Sequence, residues 1–140
     1  MDDIFYIPYD EIKVGDSASR TSVISDDIVM RFSQLIGDTN SFHVSDDSAK
    51  KTVFKTRIAH GVHLLAFISC LIGQELPGFG TIYCSHSFEF KRPVYIGESI
   101  NVYVEVLEKL EHHQIKLATR ITNGNDALVF DGVAVVKTYK

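Results

Sequence analysis

The stretch Gly37-Asp-Thr-Asn-Ser-Phe-His43 sets a carboxylate, a carboxamide and an imidazole close together in a segment with no hydrophobic period. Asp38 and His43 are residue types that hold and move protons, and side by side they could polarise one water molecule. The same residues also describe a capped turn, with Asp38 and Asn40 bonding nearby amides and His43 standing on a loop. A second group, Arg57-Ile-Ala-His-Gly61, leads directly into a strongly apolar run. Glycine at that point lets a backbone N–H approach a ligand closely. The first amides of a helix add unsatisfied donors and the positive end of its dipole. Such a donor suits an oxygen that becomes negative during a reaction. Helix initiation in a tight space asks for glycine equally well, so composition and spacing leave both readings open.

Around these groups the chain reads as a helical first half and a strand-rich second half, an α+β pattern. Residues 12–24 suit a first strand, with a bend at Gly15-Asp16. Ser25 is an N-cap residue followed by Asp26 and Asp27, whose charges favour a helix start. Ile28, Val29, Phe32, Leu35 and Ile36 repeat at helical spacing and give an apolar face, which Gly37 terminates. Residues 38–44 follow as an irregular loop, and Ser45-Asp46-Asp47 opens a short helix through Lys51.

From 59 to about 75 the chain is apolar nearly all round, which predicts a helix buried on every side. Beyond Gly80 the period becomes two. Ile82, Cys84, His86, Phe88 and Phe90 fall on one face, and Ile100, Val102, Val104 and Val106 alternate in the next strand. Glu111-His112-His113 marks a turn, 114–122 a strand, Asn123-Gly124-Asn125 a hairpin and 127–138 the last strand. An antiparallel sheet curled around one helix accommodates this order. Pairing its edge strands across a two-fold axis would cover those edges in a dimer.

With 140 residues, 45% hydrophobic and 23% charged, the chain fits a single domain, 1–140, with its own core. The net charge of −4, with basic residues scattered or merely paired (Lys50-Lys51, Lys91-Arg92), argues against a nucleic-acid or anionic-membrane surface. Residues 1–16 are acidic and lack an apolar stretch of signal-peptide length. The run 61–72, interrupted by His63 and Ser69, falls short of the roughly 20 apolar residues of a membrane span. The expectation is a cytoplasmic protein with neither membrane insertion nor a nucleic-acid partner.

Cys70 and Cys84 lie in apolar contexts and read as reduced core residues, neither nucleophilic nor disulfide-bonded. His60 and His63 share a helix face at a spacing that can hold a metal. No third ligand of obvious spacing joins them, so no metal is expected. His86, on an apolar strand face, reads as a satisfied core histidine, and His112-His113 as a solvated turn.

Phe32, Gly37-Asp38-x-Asn40-x-x-His43, then Ala49, Phe54 and Ile58-Ala59-His60-Gly61, together resemble the hydratase-2 motif of the MaoC-like family. Within that family the chain is most similar to the (R)-specific enoyl-CoA hydratases. The resemblance continues through Leu-Ile-Gly-Gln-Glu-Leu-Pro-Gly (71–78), Ser-Phe-Glu-Phe-Lys-Arg-Pro-Val (87–94) and Val-Ala-Val-Val-Lys (133–137), covering nearly everything from Ile12 onward. It implies a hot-dog fold, in which an antiparallel sheet wraps one long helix, and a homodimer. It also implies reversible syn addition of water to trans-2-enoyl-CoA, giving (R)-3-hydroxyacyl-CoA.

On that resemblance Asp38 and His43 take the catalytic dyad positions, the Gly61 N–H is the oxyanion donor, and Ser69 lines the acyl pocket. Asn40 matches a residue that holds the loop, and with Ile58 and His60 it counts among the substrate-binding positions. No cofactor is implied, since coenzyme A enters as part of the substrate. One departure is plain: the family usually has proline after that asparagine, and here Ser41 stands there. A looser loop would follow, with no reacting group lost.

Other activities remain on the same scaffold. A 3-hydroxyacyl-carrier-protein dehydratase would use the same dyad and meet its partner on a basic rim. Lys50, Lys51, Lys55 and Arg57 offer such a rim, which suits the phosphates of CoA equally well. A hot-dog thioesterase would need a carboxylate on the central helix or facing strand, and Glu75 is the only one on that helix, near its C-terminus. A non-catalytic acyl-thioester-binding module would bind without turnover, and the Asp38/His43 pair speaks against it.

Overall fold

Ser25 starts a helix as its side chain dictates: its Oγ accepts from the Ile28 N–H and α1 runs Asp26–Ile36. Gly37, at φ 76, ends it in the left-handed region. The computed structural model describes residues 4–140, apart from the side chain of Ser41, so Met1, Asp2 and Asp3 of the acidic start lie outside the described residues. The apolar face of α1 is narrower than its sequence pattern. Val29 and Ser33 are buried, whereas Leu35 and Ile36 are exposed, because only one edge of the helix meets the domain.

The segment expected to be an irregular loop contains one helical turn, Ser41–Val44 (α2). A second turn, Asp46–Ala49 (α3), follows, with the Ser45 side chain accepting from the Ser48 N–H. β1 occupies Ser17–Val23, shorter than the expected 12–24. β2 (Ile82–Phe90), β3 (Ser99–Lys109), β4 (Gln114–Asn123) and β5 (Leu128–Lys137) complete one antiparallel sheet in the order β1-β3-β4-β5-β2. The β4–β5 hairpin closes as its sequence signals, with Asn123 Oδ1 accepting from the Asn125 and Ala127 amides.

The central helix α4 spans Gly61–Gln74. It lays Leu64, Ile68, Leu71 and Ile72 against a core shared with Ile100, Val102, Val104, Leu117, Ile121 and Phe130. Each such side chain, taken out of water, contributes about 1.5–3 kcal/mol. This is the hot-dog arrangement. Burial on every side is not observed, however: Val62, Ala66, Ser69 and Cys70 face outward. Both cysteines are exposed, which corrects their assignment to the core. Cys70 Sγ lies 3.3 Å from Arg20 Nη1 on the open side of α4.

The exposure of Cys84 has a separate cause. Tyr83 pairs with Val136 and Ser85 with Val135, so Cys84 is the extra residue of a β-bulge. The bulge breaks the two-residue period and puts Tyr83 with His86 and Phe88 on the more buried side. His86 is satisfied there, as expected. Its Nε2 lies 2.8 Å from Thr119 Oγ1 and its Nδ1 bonds the Tyr83 hydroxyl. Among the described residues no helix is long and apolar enough to cross a membrane.

Candidate active site

His43 sits on the single turn α2, with its ring buried and its Nδ1 2.7 Å from the Ile58 carbonyl oxygen. A carbonyl only accepts, so Nδ1 carries the proton and Nε2 keeps its lone pair. Burial pushes His43 below the ordinary histidine value of 6.5. The Ile58 carbonyl and Asp38 oppose that shift, while His60 adds to it. A neutral imidazole with one free nitrogen is a base poised for use near pH 7.

The backbone of His43 is held as firmly as its ring. Arg57 Nε donates to the His43 carbonyl at 2.8 Å, and Arg57 Nη2 lies 2.7 Å from Asp26 Oδ1 in the first turn of α1. Arg57 is buried, so it is a clamp between α1 and α2 and not part of an exposed basic rim.

Asp38 follows Gly37 directly, where the left-handed residue turns the chain out of α1. Its carbonyl accepts from Ser33 Oγ, and its Oδ1 accepts from the Asn40 N–H at 3.1 Å. His60 joins it to His43. His60 Nε2 lies 3.3 Å from the Asp38 carbonyl oxygen and 3.9 Å from Asp38 Oδ2, and its ring stacks on His43 with centroids 3.9 Å apart. The polar atoms that Asp38, His43 and His60 offer all lie within 4.8 Å of one another.

Gly61 opens α4, so its N–H has no acceptor within the helix. A Cβ at this position would meet the far end of the Phe90 ring at 2.9 Å, so any larger residue requires that ring to shift. The Ala59 N–H donates to the Val94 carbonyl at 2.8 Å, and Ile58 bridges Tyr95. These bonds lay the segment after β2 along the start of α4. The result is a cleft of about 590 Å³ lined by Asp38, His43, Ile58, His60 and Gly61 together with Phe90 to Val94. Phe42 and Phe54 add an apolar wall.

Five of the seven expected site residues therefore share one cleft. Asn40 does not line it; it is exposed and holds the loop by its backbone, its carbonyl accepting from the His43 N–H. Ser69 is two turns along α4, in a neighbouring hollow with Leu65, Ala66, Tyr83 and His86. Residues 90–94 entered the sequence reading only as part of a resemblance and Arg57 only as a rim charge; their places in the cleft and at the clamp come from backbone pairing and buried contacts that a linear pattern does not show.

Glu75, the carboxylate a thioesterase reading would need, is paired with Arg20 at 3.1 Å. The metal expectation shifts as well. The third partner for a histidine pair is Asp38, with His43 in place of His63. These donor types suit a divalent ion; in this structure His43 Nδ1 is bonded to the Ile58 carbonyl and His60 Nε2 lies on the Asp38 carbonyl.

A model of the MaoC like domain matches residues 11–126. An (R)-specific enoyl-CoA hydratase of Rhodospirillum rubrum is 46% identical over 105 residues, covering 75% of this chain and 73% of that protein. A 3-hydroxybutyryl-CoA dehydratase of Methylorubrum extorquens is 38% identical over 133 residues, covering 94% of this chain and 84% of that one. Among solved structures, the R-hydratase PhaJ1 from Pseudomonas aeruginosa matches with a TM-score of 0.91 at 41% identity, covering 95% of this chain and 86% of that chain. On this agreement of motif, cleft and relatives, the chain belongs to the MaoC-like domain family.

Proposed function

We propose that the protein is an (R)-specific enoyl-CoA hydratase, adding water reversibly across the double bond of a trans-2-enoyl thioester. The observation that carries this reading is the shared cleft of Asp38, His43 and Gly61. A water held between the Asp38 carboxylate and His43 Nε2 loses one proton as its oxygen bonds to C3. The electron pair moves to the thioester oxygen, where the Gly61 N–H and the α4 dipole stabilise the negative charge. The proton then returns to C2 from the face on which the dyad lies, so H and OH add to the same side. Every atom of the water ends in the product, and no redox cofactor or metal enters the balance. Coenzyme A arrives as part of the substrate.

A homodimer belongs to the same reading. β2 is an edge strand whose own Ile82 is an exposed apolar residue, and Val62 of α4 is another. A second copy paired along this edge would cover them and the open face of α4. The reading also places the protein in the cytoplasm, with dissolved acyl-CoA. Purified protein should bleach the enoyl-thioester absorbance of crotonyl-CoA and yield the (R)-3-hydroxy product on chiral analysis. Release of free thiol without hydration would indicate a thioesterase, and binding without either would reduce the protein to a carrier.

A further inference from the structure

We infer that Lys91 and Arg92 form an anion subsite at the mouth of the cleft, where they hold the diphosphate of a coenzyme A thioester; this rests on the hydratase reading. Both side chains are exposed and line the same cleft as Asp38, His43 and Gly61. Their place is fixed by backbone. The Lys91 N–H donates to the Val129 carbonyl at 2.8 Å, and three residues on, Val94 accepts from Ala59, next to His60.

Arg92 also lines a second hollow, of about 530 Å³, with Pro93, Tyr95, Glu98, Asn123 and Asn125. A ligand whose thioester lies at the dyad and which outgrows the cleft can therefore pass over Arg92 into further space. That is the shape of a pantetheine arm followed by a nucleotide.

The charges single out Arg92. Arg57 is committed to Asp26 and to the His43 carbonyl. Lys50, Lys51 and Lys55 line neither hollow, and Lys50 leans toward Asp47. Lys91 pairs with Glu89 across an exposed edge. Among the described residues no carboxylate pairs with Arg92. Glu98, which lines the second hollow, accepts from the Tyr95 N–H at 2.9 Å. On a chain of net charge −4, a polyanion needs a local positive rim, and a guanidinium fork fits phosphate oxygens two at a time.

The test compares one enoyl group on three carriers: coenzyme A, phosphopantetheine and pantetheine. Wild type, Arg92→Gln and the Lys91→Gln/Arg92→Gln double variant are assayed on each. Arg92→Gln should raise KM for the CoA thioester about five- to tenfold with kcat unchanged, and the double variant should raise it further. KM for the pantetheine thioester should not move. An unchanged KM on CoA, or an equal rise on pantetheine, would overturn the subsite. An equal rise on phosphopantetheine and CoA would replace the diphosphate with a single phosphate, as on a carrier protein. Calorimetric titration of free CoA reads the subsite without turnover, and Arg92→Gln should weaken that binding to the same extent. Wild type inactive on all three thioesters but still binding CoA through Arg92 would overturn the hydratase reading and leave the subsite standing.

Discussion

The ring of His60 lies face to face with that of His43, 3.9 Å between centroids and 23° from parallel, while its Nε2 reaches the carbonyl of Asp38 at 3.3 Å. One buried residue thus touches both members of the proposed dyad and immediately precedes the amide proposed as the oxyanion donor. His60 Nδ1 is buried with no partner among the described residues.

Two stacked imidazoles resist carrying positive charge together, because like charges in contact disfavour ionisation. His60 therefore helps to keep His43 in its neutral, basic form. His60→Phe keeps an aromatic ring on His43 but removes the contact with Asp38 and the influence that lowers His43. We expect kcat to fall about 10- to 100-fold with a smaller change in KM. The acid limb of kcat/KM should move to higher pH, since one influence lowering His43 is gone. An acid limb that stays in place would reduce His60 to packing.

Stability should carry a histidine signature. Burial pushes His43, His63 and His86 below the ordinary value of 6.5, with His60 also lowering His43 and His63. Below 6.5 the unfolded chain binds protons that the folded chain refuses, so stability is full above that pH and is lost as pH falls toward the folded values. The urea midpoint should be higher at pH 7.5 than at pH 5.5. Replacing His86 by Gln, which can still bond Thr119, should flatten part of that slope. A midpoint independent of pH over this range would contradict the burial of these rings.

Arg57 connects α1 to the backbone of His43, and a lysine cannot reproduce its two-way contact. A hydrogen bond to a charged group is worth about 1.5–3 kcal/mol. Arg57→Lys should lower the unfolding free energy by about 1–2 kcal/mol and reduce kcat more than KM, because His43 loses its anchor. Asp26 is largely exposed, so Asp26→Asn should be milder in both assays. Chemical denaturation and steady-state kinetics on the two variants check the order.

Gly61 and Phe90 are coupled by contact. Gly61→Ala pushes a methyl into the Phe90 ring at 2.9 Å and should lower activity at least tenfold. Removing the ring as well, in Gly61→Ala/Phe90→Ala, opens that space and should recover a measurable part of it. A double variant no better than Gly61→Ala would place the defect elsewhere.

Much of this was legible from residue types with strong local rules. Ser25 and Gly37 mark the ends of α1, and Asn123-Gly124-Asn125 closes its hairpin, because capping and turn chemistry are decided within a few residues. Asp38 and His43 converge because α2 is a single turn pinned at both faces, by Ile58 and Arg57. Both residues stand out in the sequence, but neither contact with His43 shows in a linear pattern. The exposure of Cys84 was hidden for a similar reason: a bulge changes the phase of a strand without changing its composition. The open side of α4 is largely apolar like its buried side, so periodicity alone cannot tell the covered face from the exposed one.

The most direct test is single-turnover and steady-state hydration of crotonyl-CoA by Asp38→Asn, His43→Gln and the double variant, each with its fold checked by circular dichroism. Groups acting as one acid/base unit should each cost about 10²- to 10⁴-fold in kcat, and the double variant should be scarcely worse than the worse single one. Either folded single variant hydrating within a few-fold of wild type would contradict the assignment of water activation to residues 38 and 43.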